Sequence, residues 1–434
     1  MPVMDKQGIG AGVENAALTE EAASLGWQAT MWWMVGIQLV MTFSFSILTP
    51  IMPLFLPELG VRGSSAVDFW SGILMGTTSF VAAFVSPFWG RLADLKGRKL
   101  MLLRSSFAIG LFTIMMGVSR NVWQFFAARC LMGAFAGFSA AAIALVASQV
   151  PERRLGYALG WLSTGQLVGT LLGPVVGGAI ADASGSYRVP FYTTAGITFA
   201  VLILVARFVH ETFTPPRKAE RRGSILKSLK TLWRSPALGP IFLVLLLAQF
   251  GVTTVQPVVT LFVQALIGNS AMLAVLAGVA FSITGLADVI ASPFLGKRSD
   301  VIGYRRVLLI CLAGCALASL PQAFVQSYWL FVVERFGVGC FVGGLLPTAN
   351  ALVGRMVPRA ERGTIYGMTA SATFLGNSLG PLTGGGTAAL FGLRWVFVFT
   401  SALFVINWIW VYRSVPEWRE PAFQEAAGEA AEGG

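Results

Sequence analysis

Twelve stretches of predominantly apolar residues, divided by short polar breaks, run the length of this chain and leave it very few possible folds. Their approximate cores are 32–56, 69–89, 101–119, 122–148, 156–181, 190–209, 237–263, 272–295, 307–326, 328–353, 364–389 and 393–412. A helix of ~20 apolar residues matches the ~30 Å hydrocarbon layer of a bilayer. Backbone polar groups left unpaired in lipid are too costly to tolerate, so such stretches cross as helices. The expected fold class is an all-α membrane protein with twelve transmembrane helices. Composition points the same way: 55% of residues are hydrophobic and 12% charged, with a mean hydropathy of +0.72. A water-soluble globule of this length has too little interior to hide that much apolar surface.

The net charge of +11 would suit a nucleic-acid binder if the bases were clustered on one surface. They follow the breaks instead. One alternating set of breaks, together with the two ends, holds 25 of the 31 Lys and Arg, including Arg91, Lys96, Arg98, Lys99, Arg104, Lys297, Arg298, Arg305 and Arg306. The other set holds only Arg62, Arg120, Arg188 and Arg394, while Arg129 and Arg335 fall inside spans. Positive charge gathers on the cytoplasmic side, so both termini are expected in the cytoplasm and no nucleic-acid partner is expected. Residues 1–30 lack a basic segment followed by a short apolar one, so no cleavable signal is visible and the first span is expected to act as its own insertion signal. Cys130, Cys311, Cys315 and Cys340 lie in apolar stretches without a CxxC pair or a neighbouring His. No metal site is expected from them.

The halves of the chain repeat one another. Ser86-Pro87-Phe88-Trp89-Gly90 returns as Ser292-Pro293-Phe294-Leu295-Gly296, an offset of 206 residues from Gly90 to Gly296. Asp94 and Asp300, and Arg129 and Arg335, keep that step, while Gly173-Pro174 and Gly380-Pro381, and Pro50 and Pro257, keep a step of 207. A duplicated unit with an even number of spans inserts both copies the same way up. The expected result is two six-helix bundles related by a pseudo-twofold axis along the membrane normal, with a cavity between them. The expected domains are a cytoplasmic segment 1–30, bundles 31–210 and 237–413, a basic linker 211–236 and a cytoplasmic, disordered tail 414–434.

The loop Gly90-Arg91-Leu92-Ala93-Asp94-Leu95-Lys96-Gly97-Arg98-Lys99, with its degenerate echo around Asp300, resembles the helix 2–3 signature of the major facilitator superfamily. Two glycines there are expected to let the chain turn tightly, and an acid among bases to pair across the loop or with a helix terminus. The resemblance implies that Gly90, Asp94, Gly97, Arg98 and Asp300 help latch the cytoplasmic side in one state. Span five places Gly165, Gly169, Gly173 and Gly177 at four-residue steps, with Pro174 and Gly178 beside them. A face without side chains admits another backbone closely, and packing alone explains such a stripe. The full pattern is also similar to the motif of drug:proton antiporters within the superfamily, and that resemblance implies export in exchange for protons. The run Phe69-Trp70-Ser71-Gly72-Ile73 with Ser86 to Leu103 looks closest to the MdtG-like multidrug-efflux branch.

Arg129, with Gly133 and Gly137 one and two turns on, is similar to the family's helix 4 motif. A guanidinium at that depth costs several kcal/mol unless paired or wetted. The resemblance implies proton coupling for Arg129. A structural arginine holding helix ends together is the other reading, and Arg335 is its counterpart. Low dielectric disfavours a charged carboxyl, so acids inside spans are natural proton carriers. Asp288 and Glu334 are the two that qualify on these span limits, and a structural ion pair is the alternative for each.

Gln38, Gln249, Gln256, Asn350 and Asn377 are neutral polar groups within apolar spans, suited either to tying helices together or to lining a cavity. By resemblance, helices 1, 4, 7 and 10 form the cavity, which singles out Gln38, Gln249, Gln256 and Asn350. Met41, Phe45 and Phe250 are candidates for an adaptable apolar wall. The expectation is a monomeric, multi-pass protein of the bacterial inner membrane, exporting small apolar or amphiphilic compounds by alternating access. Its energy source is a proton gradient, without a cofactor. A facilitator or proton symporter for a nutrient on the same fold is the alternative. A membrane-embedded enzyme is disfavoured because the single His210 offers no catalytic cluster.

Overall fold

A computed structural model describes residues 27–151, 154–211, 238–356 and 362–415. Nearly all of the expected N-terminal segment, linker and tail lie outside the described residues, as do the side chains of Asp94 and Asp300.

The chain forms twelve spans. Span 1 runs 27–46 and continues, after a break, as Met52–Phe55 and a 3-10 turn Leu56–Leu59. Spans 2 and 3 are Ser64–Lys96 and Arg98–Val118. Span 4 is split into Val122–Ala134 and Phe138–Gln149. Spans 5 and 6 are Leu155–Ser184 and Val189–Phe208. Span 7 is split into Leu238–Thr254 and Gln256–Ile267, and spans 8 and 9 are Leu273–Ile302 and Tyr304–Ser319. Spans 10, 11 and 12 are Tyr328–Met356, Arg362–Phe391 and Leu393–Ser414. Ten of these are, among the described residues, both long and apolar enough to cross a membrane. The others are span 1, interrupted at 47–51, and span 11, which is rich in Gly, Ser and Thr.

The duplication reaches individual contacts. Gly97 and Gly303, 206 residues apart, both have φ +93 and turn the chain between spans 2 and 3 and between spans 8 and 9. That conformation is strained for any residue with a Cβ. Gly90 does not share the role expected of it. It lies inside the span 2 helix with open space around its Cα, so the turn rests on Gly97 alone. Arg188 donates to Gly117 O and Ser119 O at 2.7 and 3.0 Å, and Arg394 donates to Ala323 O and Val325 O at 3.2 and 3.3 Å. Each arginine satisfies carbonyls orphaned where span 3 or 9 ends. Two of the four bases sparsely placed between spans, Arg188 and Arg394, therefore have a packing task. Arg104 is a correction of another kind: it lies six residues inside span 3 rather than in a loop.

Within the first half, spans 3 and 6 and spans 2 and 4 pack closely; in the second half spans 9 and 12 and spans 8 and 10 do so. The halves meet along two seams, span 2 against span 11 and span 5 against span 8. The end carrying the 91–99 and 297–306 segments is called here the basic end, and the opposite one the distal end.

Candidate functional site

The seams are closed only towards the distal end. A methyl group built on Gly72 collides with Pro381 O, and one built on Gly278 collides with Pro174 O, the repeat-equivalent contact. Ser282 Oγ donates across the halves to Leu171 O at 2.5 Å. Further towards the basic end the contact thins: a methyl built on Gly285, two turns on from Gly278, reaches only Leu171 Cδ1 at 3.9 Å, and Leu286 on span 8 and Leu167 and Thr164 on span 5 are exposed. Phe80, the repeat equivalent of Leu286 on span 2, is exposed as well. The molecule is therefore captured with the 5–8 seam shut at its distal half and parted at its basic half.

Asp182, at the distal end of span 5, supports that closure. Its carboxylate accepts from the amides of Ala274 and Val275 at 3.3 and 2.8 Å, capping the first turn of span 8 in the other half. Charge at a helix N-terminus is favourable, and side-chain caps there are worth ~0.5–2 kcal/mol. Tyr187 lies close by in the following loop, its hydroxyl pK pushed up by burial, then by the charges of Asp182 and Glu58. Asp182→Ala is expected to move the conformational equilibrium ~2–30-fold towards an open distal end. Solvent labelling of a cysteine placed at Ala274 reads that change, and unaltered labelling would count against the cap.

The glycine stripe of span 5 packs against span 1. Methyl groups at Gly165, Gly169 and Gly173 would lie 2.8 Å from Val35 O, 2.5 Å from Leu39 O and 2.7 Å from Phe43 O, and one at Gly177 would collide with Ile47 O. Gly178 faces the other way, against Ala274 O of span 8. Gly376, Gly380 and Gly384 repeat the stripe against span 7, and Gly385 repeats the outward-turned member against Asp68 O of span 2. The copies at 376, 384 and 385 keep the same 207-residue offset as Gly380-Pro381 and Pro257.

Between the halves lies a cavity of about 130 Å³. Span 1 supplies Phe45, Leu48, Thr49 and Met52, span 2 supplies Met75, Thr78 and Ser79, span 4 supplies Arg129, and spans 7 and 11 supply Gln256 and Asn377. Arg129 is 4% exposed, donating Nε to Leu74 O at 2.9 Å and Nη2 to Met52 Sδ at 3.2 Å. No carboxylate lines the cavity with it. Arg335 repeats the first bond, Nε to Ala280 O at 3.4 Å, but lies away from the cavity.

Of the other expected lining residues, only Phe45 and Gln256 reach the cavity. Gln249 instead donates to Asn377 Oδ1 at 2.6 Å and holds that cavity residue in place. Gln38 ties span 1 to Ser139 of span 4 at 2.9 Å, Met41 is buried, and Phe250 packs edge-on against Phe399. Asn350 lies exposed on span 10, outside the cavity. Spans 2 and 11 take the place expected for span 10 because the cavity sits directly behind the 2–11 seam.

Span 4 breaks at Gly137, where φ is +122, and its freed carbonyls find side-chain donors. Trp89 Nε1 donates to Ala134 O at 2.7 Å and Arg104 Nη2 to Ala136 O at 3.1 Å, with the Arg104 guanidinium stacked 3.4 Å over Trp89. In the loop signature, the amides of Arg98 and Lys99 donate to Glu211 at 2.8 and 2.7 Å, an attachment within the first half.

Asp288 and Glu334 form no ion pair with the arginines among the described residues, where Arg188–Glu58 at 3.5 Å is the one such pair. Glu334 Oε2 is buried without a partner, and Asp288 Oδ1 packs beside Gly343 of span 10. The count of two embedded acids is itself corrected. Span 2 begins at Ser64, not 69, which brings Asp68 inside it, 7% exposed. The apolar run starting at Phe69 concealed that extra turn.

Twelve spans in two repeated halves, closing on a shared cavity, define a transport protein rather than an enzyme. The chain belongs to the major facilitator superfamily, whose sequence profile matches residues 34–286 and 241–432. It is 39% identical over 361 residues to multidrug resistance protein MdtG of Enterobacter lignolyticus, covering 82% of this chain and 85% of that one. The MdtG protein of Serratia proteamaculans is 39% identical over 363 residues, covering 82% and 87%. Among solved structures, the nucleoside transporter NupG (D323A mutant) has a TM-score of 0.73 at 14% identity, covering 89% of this chain and 100% of that one. A D-xylose–proton symporter has a TM-score of 0.72 at 15% identity, covering 90% and 98%. At those identities the likeness concerns the fold.

Proposed function

We propose that this protein is a proton-coupled multidrug exporter working by alternating access. It would carry small apolar or amphiphilic compounds outward as a monomer in the bacterial inner membrane, with its basic end towards the cytoplasm. The observation that carries the reading is the cavity behind the closed distal seam. Phe45, Leu48, Met52 and Met75 give it a deformable apolar wall, while Thr78, Gln256, Asn377 and Arg129 offer a few polar contacts. Flexible thioethers and aromatic faces repack around cargo of different shapes. The similarity to MdtG multidrug resistance proteins supports the same cargo class.

Distal-end glycine contacts suit rocking of the halves, because each seam is a pair of backbones in contact rather than an interlocked set of side chains. Asp288, Glu334 and Arg129 are the proposed coupling groups inside the spans. Everted vesicles containing the protein are expected to accumulate dyes when energised and to lose that uptake on addition of an uncoupler. Accumulation that persists down a dye gradient, indifferent to the uncoupler, would assign a facilitator instead. Neutralising Asp288, Glu334 and Arg129 singly is expected to reduce proton-driven uptake; full activity in all three would remove them as coupling residues.

A further inference from the structure

Asp68 is the least exposed acid among the described residues, at 7%, and it has no hydrogen bond or ion pair there. It sits on the 2–11 seam. Its carbonyl lies 2.6 Å from a methyl group built on Gly385, and Gly72, one turn deeper, abuts Gly385 and Pro381. Residues 68, 75 and 79 share one face of span 2, and Met75 and Ser79 line the cavity. Seven helical residues place Asp68 ~10 Å above Met75 on the distal side.

Its surroundings offer no charge to balance a carboxylate. Span 11 from residue 371 to 391 and the second segment of span 7, Gln256–Ile267, contain no titratable side chain. Span 4 offers Arg129, which is turned to Leu74 O and the cavity, and Cys130. At the end of span 1, Glu58 is paired with Arg188, and Arg62 in the loop before span 2 is exposed. Three hydroxyls on the helices around the seam, Ser71 Oγ, Thr260 Oγ1 and Ser378 Oγ, are buried without a hydrogen-bond partner.

The repeat supplies a control. Residue 274 corresponds to 68 by the 206-residue offset, and it is an alanine whose amide is capped by Asp182. The 5–8 seam thus has an acid with two amide donors, as a structural latch requires. The 2–11 seam has an acid with none. A carboxylate closed into such a seam is costly when charged and tolerable when neutral.

We infer that Asp68 is a proton-binding site of the distal gate, linking the closing of the 2–11 seam to uptake of a proton from the distal side. This rests on the proton-antiport reading above. With the seam open, the carboxylate takes a proton from hydronium, leaving water. The neutral acid is then buried as the seam closes. Release of the proton to water on the basic-end side of the closed seam restores the carboxylate. The uncompensated charge then favours reopening once cargo is bound.

The test needs no cargo. Spin labels at Arg62→Cys and Met272→Cys, on distal loops of opposite halves, report seam opening in the full-length protein reconstituted in phosphatidylethanolamine–phosphatidylglycerol vesicles, with the four native cysteines replaced. The open fraction is expected to rise at least ~5-fold from acidic to alkaline buffer. Asp68→Asn is expected to stay closed throughout, and Asp68→Glu to restore the response, which also shows that the site tolerates substitution. If Asp68→Asn responds to pH as the parent does, Asp68 is not the site. If the parent itself does not respond, the antiport reading fails with it.

Discussion

Gly177→Ala and Gly178→Ala, neighbouring substitutions of the same kind, are expected to fail in different ways. Gly177 abuts Ile47 O within its own six-helix bundle, so an added methyl must push spans 1 and 5 apart in every conformation. Overpacking of that sort costs ~1–3 kcal/mol of stability. The expected result is less folded protein in the membrane and earlier thermal unfolding. Gly178 abuts Ala274 O in the opposite bundle, a contact across the closed distal seam that rocking the halves apart would break. There the same penalty falls on one state, moving the equilibrium ~5–150-fold towards distal opening. Expression and thermal stability should be near those of the parent, transport should fall, and a cysteine placed at Ala274 should become labelled from the distal side. Equal loss of folded protein in both variants would mean that Gly178 is part of the fold and not of the gate.

The second large effect is expected at Arg129, and it separates two arginines that are equivalent in the sequence. Arg129→Lys removes the planar fork that reaches Leu74 O and Met52 Sδ while facing the cavity. A lysine ammonium cannot hold those positions together, and a buried acceptor left without its donor costs ~1–3 kcal/mol. Transport is expected to drop ~10–100-fold with the protein still folded. Arg335→Lys loses a weaker bond of 3.4 Å at a place away from the cavity, so a fall of ~10-fold or less is expected. Vesicle uptake assays normalised to membrane protein compare the two. Identical losses would show that both arginines are structural braces.

These predictions could not have been made from residue spacing. The glycine stripe is visible in the sequence, yet whether a given glycine faces its own half or the other depends on the helix rotation about its axis, and Gly177 and Gly178 differ by one such step. The repeat offset located Arg335 from Arg129, but the offset is blind to which of the two borders the cavity. Polar residues within spans were recognised as a group. Gln38 and Gln249 proved to join helices, while Gln256 and Asn377 line the space between them. Asp68 lies before the apolar run that begins at Phe69, because hydropathy marks where lipid begins and not where a helix does.

What the chain alone determined is its class: apolar spans of membrane length, bases sorted by alternate breaks, and a duplication of about 206 residues allow little besides two parallel bundles of six helices. Those constraints come from the solvent and from local geometry, which act on each segment separately. The tertiary structure decided which glycines form the gate, which arginine meets the cavity, and that Asp182 finds amide donors while Asp68 finds none. These are contacts between segments far apart along the chain. Both arrangements of the halves use the same sequence, and only packing distinguishes the closed seam from the open one.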